Sequence, residues 1–498
     1  MFHRRFLTNC AVLLMVCTVS LSVQIAALDI QINGSRHQPS ASPSTLLRSR
    51  FLNGESFPSL SLDELLPVFF AIDRIRILYN DNQEYSPASD SLELFPYRSY
   101  LIPGENGYSL FADGGETQLS RVEGIEIDGE LISVEELEVW IAWEGVSLLK
   151  QELSRWGELH GVPMRINEVP KSDSKLMSVL RGGGKPPDLL LLQSDYLPAL
   201  TASNALQPIV RFPLEEFSSK SLDALSLNGR LWALPFYCDA QMLFYREDLI
   251  PEERISAGWT LDEYSVLARE LKNRGISPAA WNAYSAYWLI PFQIGFGKKP
   301  LVEADGSIRA DDQATRQAVE FIRRQIDAGL LDLRERDSMF SRFIAGEVAM
   351  MLSASFSIPE LERLDVPFGV HPFPRGPADA MRPLLDFKGF AIPRKTRHPL
   401  LARRLMLSLS DPALQHNFCS GLSKLPAVES AWELTRAESD YYPVLRKAYE
   451  EGVPVPSTKG YKVYKNTLWK MLRFILNGQL GIDQGLNQAQ QLIENQLQ

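Results

Sequence analysis

Three groups of residues in this 498-residue chain have types and spacings that chemistry could use. The first is RGGGKPPDLLLL at 181–192, where three glycines precede a lysine, as in a loop that cradles phosphates. Such a loop needs a strand before the glycines and a helix starting at the lysine, so that backbone N–H groups and the helix dipole face the anion. Here the order is reversed. Lys175–Arg181 reads as a helical turn, Pro186 and Pro187 forbid a following helix, and Asp188 leads into a buried apolar strand. Lys185 is also followed by proline rather than Ser or Thr, so the stretch reads as a helix stop and strand entry. The second group is Cys238 beside Asp239, a thiol next to a carboxylate. A nucleophilic thiol needs an activating neighbour, no histidine is close in sequence, and buried inert cysteines are far commoner. The third is the histidines: apart from His3 near the start, His37, His160, His371, His398 and His416 are scattered, with none at metal-ligand spacing. No cofactor or metal is expected from these patterns, and no GxSxG nucleophile elbow occurs.

Composition narrows the classes further. With 45% apolar and 22% charged residues the chain has the make-up of a soluble globular protein with room for about three domains. A formal charge of -10 disfavours a nucleic-acid partner, which needs clustered Lys and Arg. Arg4 and Arg5 precede an apolar run that ends at Ala26 and Ala27, which reads as a signal peptide over 1–27 and implies export to the periplasm or the cell exterior. An uncleaved or lipid anchor is the alternative. Of four cysteines only Cys238 and Cys419 lie beyond this leader, and they either pair or stay buried.

The organisation of the rest follows from periodicity. Residues 28–61 are rich in Ser, Pro, Asn and Gly without a sustained period, and read as a flexible linker. Over 62–134, Ile75, Ile77 and Tyr79 alternate with Arg74 and Arg76, and Asn106-Gly107, Asp113-Gly114-Gly115 and Asp128-Gly129 are hairpin signals, so a small β-rich module is expected. From 136 strands and helices alternate. Glu138–Trp143 is a buried strand, Leu149, Leu153, Trp156 and Leu159 are the inner face of a helix stopped by Gly161, and Val162–Val169 is the next strand. This grammar predicts a largely parallel sheet covered by helices. Thr260 and Glu263 form a capping box before a helix that stops at Gly275, and Asp311 or Asp312 caps another that closes near Gly329.

The stretch from about 136 onward resembles the extracellular solute-binding proteins of ABC importers, specifically the carbohydrate-binding, maltose-binding-protein-like family. The landmarks come in the family's order: VWIAW, GGGKPPDLLLL, LQPI (206–209), SLNGRLWALPFYCDAQMLFYREDL, GWTLDEY, FIAGEVAM, FGVHPFPRG, KGFAIP (388–393), KLPA (424–427) and EGVPVP. The resemblance implies an α/β, bilobed periplasmic-binding-protein fold with a hinge, plus the N-terminal β-rich module. It implies one lobe from 135–237 with about 384–428, a second from 238–383 with about 429–498, and a ligand held between them. It also implies a monomeric protein that captures a small molecule, expected to be a sugar, for the permease subunits of an ABC transporter. A sensor docking to a membrane receptor, or an enzyme using Cys238, are the alternatives.

Carried over residue by residue, the resemblance puts ligand carboxylates at Asp195 and Asp239. It puts stacking rings at Tyr287 and Phe356, with Trp143, Glu144 and Tyr237 on loops facing the same cleft. Sugar hydroxyls want charged partners and their C–H faces want flat rings, which is why these residue types suit the task. For Asp195 a helix N-cap is the competing reading, since LPAL follows. Leu192, Tyr196, Ser285 and the Tyr464–Lys465 region depart from the maltodextrin-binding pattern, so a mono- or short oligosaccharide is the expected ligand.

Overall fold

A computed structural model describes residues 28–36, 38, 47–52, 55–62, 65, 69–80, 83–88, 99–104, 107–112, 117–131, 136–210, 212–255, 258–436 and 440–497. The expected leader at 1–27 lies outside the described residues. The chain divides into two compact units: residues up to 172 with 179–190 and 395–415, and residues 173–178 with 191–394 and 416–498.

The first unit begins with a nine-stranded sheet. Its longest strand, Thr117–Leu131, pairs antiparallel with Phe69–Tyr79 and with Gly107–Ala112. Ile75 and Ile77 stand opposite Ile127 and Ile125, and all four are buried, as the period-two alternation requires. On the polar face Arg74 pairs with Asp128 and Arg76 with Glu126. The linker expected over 28–61 is corrected here. Asp29–Ile32, Ser35–Arg36, Leu47–Leu52 and Glu55–Ser61 are all strands of this sheet. Asp29–Ile32 runs parallel to Gly124–Ile127 and buries Ile30 and Ile32, a two-residue alternation too short to stand out among the surrounding Ser, Pro and Asn.

The hairpin signals divide. Strands Tyr100–Gly104 and Gly107–Ala112 pair antiparallel with Gly104 opposite Gly107, and the Asn106-Gly107 signal falls partly outside the described residues, which omit 105–106. Asp113-Gly114-Gly115 lies outside them too, between strands that pair Ala112 with Thr117. Asp128-Gly129 is no turn. It sits inside Thr117–Leu131 beside a register irregularity in the partner strand. There the Asn33 side chain mimics a neighbouring strand, accepting from the Gly129 N–H at 2.9 Å and donating to its carbonyl at 3.0 Å.

The α/β part of this unit has Leu137–Ile141 between Met164–Glu168 and Leu189–Leu190, all parallel. The strand stops before Trp143 because Trp143 takes a left-handed φ of 71°. Helix Val146–His160 buries Leu149, Leu153, Trp156 and Leu159 and ends at Gly161 with φ 65°. Leu159 also joins the core of the β module. After helix Ser172–Arg181, Gly184 N–H closes on the Val179 carbonyl at 2.9 Å and the chain enters the strand at Leu189, so the glycines end a helix as expected.

In the second unit every residue of the strand Leu234–Arg246 is buried. It is antiparallel to Leu384–Ala391, Val348–Ala354 and Phe368–His371, so the largely parallel sheet expected from sequence is mixed here. Parallel pairing returns where Ser277–Trp281 lies between Val348–Ala354 and Leu331–Leu333. The Thr260–Glu263 capping box forms in full, and Asp312 rather than Asp311 caps Gln313–Asp327. Among the described residues no helix is long and apolar enough to cross a membrane.

Because Ile77 is fully buried in the module's core, Ile77→Ala should cost about 2–5 kcal/mol. The expected outcome is a lowered urea midpoint for the transition that includes the module, followed by circular dichroism.

Candidate functional site

Strand Leu234–Arg246 carries Asp239 into the interior of the second unit, where the carboxylate is 1% exposed. A buried charge on this strand requires partners, and two lysines supply them. Lys388 Nζ donates to Asp239 Oδ2 at 2.7 Å and Lys424 Nζ to Oδ1 at 2.9 Å, while Ser355 Oγ donates to Oδ1 at 3.2 Å. Burial alone would push this carboxyl up, but the two ammonium charges and their hydrogen bonds outweigh it and hold the pKa down to about 2. For Lys388 burial opposes the charge, and Asp239 with Asp386 overcomes it, keeping the ammonium protonated. Both ammoniums also lie over the Tyr237 ring, at 4.7 Å for Lys424 and 5.6 Å for Lys388.

From Lys388 the network runs on to Asp386, across 3.0 Å, and Asp386 Oδ2 accepts from Gln193 Nε2 at 2.8 Å. Gln193 ends its strand, and two residues later Asp195 pairs with Lys465 of helix Lys459–Leu476 at 2.6 Å. That bond uses Asp195 Oδ2. Oδ1 is buried and has no hydrogen-bond partner among the described residues. Burial raises the Tyr196, Tyr287 and Tyr461 hydroxyls, and each also feels Asp386, with Asp195 acting on Tyr196 and Tyr461. Phenol rings therefore stand within electrostatic reach of both carboxylates. Burial, then Asp195 and Asp239, push the Asp386 carboxyl up against the pull of Lys388.

The expected site residues meet different fates. Asp195 is in this network and does not cap a helix: Leu197–Ala202 is preceded by Tyr196, with no side-chain cap. Tyr287 opens helix Ala286–Gly295, its carbonyl held by Gln241 Nε2 at 2.7 Å and its ring edge-on to Trp288 at 5.0 Å. Phe356 is half-buried in the turn after Val348–Ala354, with the Arg336 guanidinium 5.3 Å above it. Trp143 and Glu144 belong to the first unit, where Glu144 is exposed and Trp143 half-buried in the turn before Val146–His160. Asp239 and Tyr237 are corrected as direct ligand contacts. Both are buried, and the Asp239 oxygens are already taken by two lysines and a serine, so its role is that of an internal counter-ion.

Sequence reasoning missed Lys388, Lys424, Asp386, Gln193, Tyr461 and the pairing of Lys465. A signal was present, since KGFAIP and KLPA each begin with one of the buried lysines. Cys238 and Cys419 are buried and unpaired. Burial pushes both thiols up, with Asp239 adding to the effect, which removes the thiolate at neutral pH. Among the described residues no group of three or more His, Cys, Asp and Glu is placed to hold a metal.

Asp239→Asn leaves two buried ammoniums facing a neutral amide and should cost about 3–5 kcal/mol in urea unfolding. The wild-type advantage has a definite pH window. A carboxyl lowered from 3.8 to about 2 on folding contributes fully above about 4 and is lost as pH falls through 2, so the two proteins' midpoints should converge on acidification. For the thiols, iodoacetamide at pH 8 should leave Cys238 and Cys419 unmodified in the native protein and label both in urea, as mass spectrometry would report.

Residues 156–440 match the family model described as bacterial extracellular solute-binding protein. Among curated relatives, the maltodextrin-binding protein MdxE of Bacillus subtilis is 20% identical over 291 residues, 55% of this chain and 69% of its own. The galactooligosaccharide-binding protein of Bacillus subtilis is 19% identical over 387 residues, 73% of this chain and 89% of its own. Among solved structures, a cyclo/maltodextrin-binding protein complexed with maltotetraose superposes with TM-score 0.64 at 20% identity, over 74% of this chain and 98% of that one. The GacH receptor of Streptomyces glaucescens does so with TM-score 0.65 at 18% identity, over 72% and 98%. These likenesses show the fold, which is the α/β solute-binding-protein fold expected from the landmarks. With the family model spanning more than half of its length, the chain belongs to the bacterial extracellular solute-binding proteins.

Proposed function

We propose that this protein is an exported binding protein that captures a neutral carbohydrate and delivers it to the permease subunits of an ABC importer, acting as a monomer. One observation carries the reading: Asp195 holds Lys465 with one oxygen and keeps the other buried without a partner, close to Tyr196 and Tyr461. A sugar hydroxyl donated to that oxygen makes a charge-assisted bond, and the C–H face of the same ring finds flat aromatic surface. Tyr287 and Phe356 are the stacking candidates, and Trp143 and Glu144 remain candidates for further contacts.

Charge supports a neutral ligand. The negative charges of Asp195, Asp239 and Asp386 are matched by the ammoniums of Lys388, Lys424 and Lys465 before any ligand arrives. An added ion would find no free counter-charge in this set and would still lose its hydration. The names of the relatives, maltodextrin- and galactooligosaccharide-binding proteins, support a sugar as well. Catalysis through Cys238 has little support, because that thiol is buried and protonated. The β module favours a second reading, a sensor that docks a membrane receptor, since the family match begins at 156, behind the module.

A thermal-shift panel of neutral sugars, uronates and amino sugars tests the proposal. Ligand that binds only the folded protein raises the melting temperature with the logarithm of its concentration. The expected result is a neutral-sugar response, intact sugar on recovery, and affinity weakened about 10–100-fold in Asp195→Asn by calorimetric titration. A panel without a neutral-sugar response, or an Asp195→Asn protein that binds as tightly as wild type, would overturn it.

A further inference from the structure

Between two helices of the second unit lies a groove of about 620 Å³ that shares no residue with the carboxylate network. Its walls are helix Leu261–Asn273 and helix Gln313–Asp327, which lead into the parallel neighbours Ser277–Trp281 and Leu331–Leu333. Lys272, near the end of the first helix, donates to the Ala328 carbonyl just past the second at 2.6 Å and ties the two ends together. The first helix turns Ser265, Val266 and Arg269 into the groove and the second Phe321, Arg324 and Gln325, each set at helical spacing. A cavity of this size suits a small ligand.

Gln325 is 6% exposed, and its amide has only one way round. Ser265 gives its single hydroxyl hydrogen to the Leu261 carbonyl at 2.8 Å, so toward Gln325 it can only accept, and Gln325 Nε2 donates to it at 3.2 Å. Oε1 is thereby left to the groove, buried and without a hydrogen-bond partner among the described residues. An unmet buried acceptor is costly, so this point calls for a ligand with an N–H or O–H. Val266, 46% exposed, and the Phe321 ring supply apolar surface on the same walls. Arg269 and Arg324 stand one on each wall with no ion pair among the described residues. The two acids that also line the groove are provided for: Asp327 accepts from Arg323 at 2.8 Å, and Asp262 lies in the first turn of its helix, at the positive end of the dipole. What stays unmatched is two guanidiniums, one acceptor and an apolar surface.

We propose that this groove binds an N-acylated amino-acid carboxylate with an apolar side chain, the chemistry of a peptide's carboxy-terminal residue. The carboxylate spans Arg269 and Arg324, the amide N–H donates to Gln325 Oε1, and the side chain covers Val266. Simpler classes each miss a part. A fatty acid lacks the donor, a sugar lacks the charge and the apolar chain, and the ammonium of a free amino acid would stand beside the guanidiniums. The site does not depend on the carbohydrate reading.

The test is calorimetric titration of the full chain with N-acetyl-alanyl-alanyl-leucine, with its carboxy-terminal amide, and with the analogue whose leucine nitrogen is methylated. The expected result is binding that amidation weakens about fivefold, as two exposed ion pairs allow, and that N-methylation weakens about three- to tenfold. Arg269→Gln combined with Arg324→Gln should erase the effect of amidation and keep that of N-methylation, and Gln325→Leu should do the reverse. Melting temperatures verify that each variant is folded; should Gln325→Leu fail to fold, the N-methyl analogue on wild-type protein still decides. N-acetylleucine that binds as tightly as the tripeptide makes a free acylated amino acid the source of this chemistry, and weaker binding makes it a peptide end. A tripeptide that does not bind, or that binds equally well after either modification, overturns the proposal. Sugar titrations of the same variants are expected to match wild type, so the two readings fail separately.

Discussion

A carboxylate in the middle of a fully buried strand exists only if counter-charges come with it, and Asp239 obtains them from far away in the chain. Lys388 is 149 residues on and Lys424 is 185, so one charge cluster ties the central strand to its neighbour Leu384–Ala391 and to the segment before Leu425–Pro426. The cluster is worth little as net stabilisation compared with an apolar core of the same shape. Its consequence is geometric. Lys388 is shared with Asp386, Asp386 holds Gln193, and Gln193 stands two residues before Asp195. The position of Asp195, whose Oδ1 is unmet among the described residues, thus descends from a pairing made deep in the sheet.

That separation of roles accounts for the chemistry of the second unit. Charges that face one another inside the protein are spent on holding its parts in register, and at the edge of the network Asp195 keeps one oxygen without a hydrogen-bond partner among the described residues. Hydroxyls suit that edge better than ions, since a neutral hydroxyl gives up little hydration and gains a charged acceptor. The surrounding phenols contribute flat faces whose own hydroxyls stay protonated because burial raises them. Nothing in this arrangement requires a reactive group, and the thiol beside Asp239 is held in its protonated form by the same burial.

Local signals were legible wherever a single turn of chain contains both partners. The Thr260–Glu263 box, the Asp312 cap and the left-handed Gly161 each involve residues within a few positions of one another, and each forms as the residue types predict. Asp128-Gly129 failed because its carbonyl and N–H found Asn33, almost a hundred residues earlier, in place of a turn. The supposed linker failed for a related reason. Ile30 and Ile32 are too few to announce a strand, and only the parallel edge of Thr117–Leu131 gives them a place to be buried.

The sequence by itself determined the family, the alternation of strands and helices beyond residue 136, and the residue types that suit a sugar, because these depend on composition, spacing and near neighbours. It also contained both buried lysines in its own landmarks, at the head of KGFAIP and KLPA. Only the tertiary structure decided which carboxylate is a counter-ion and which has an oxygen to offer. Asp239 and Asp195 are the same residue type, and what separates them is burial, complete for Asp239 and partial for Asp195, and the number of ammoniums folded against each: two for Asp239 and one for Asp195. Electrostatic pairing acts through space, so its outcome is set when distant segments meet and not by the residues on either side.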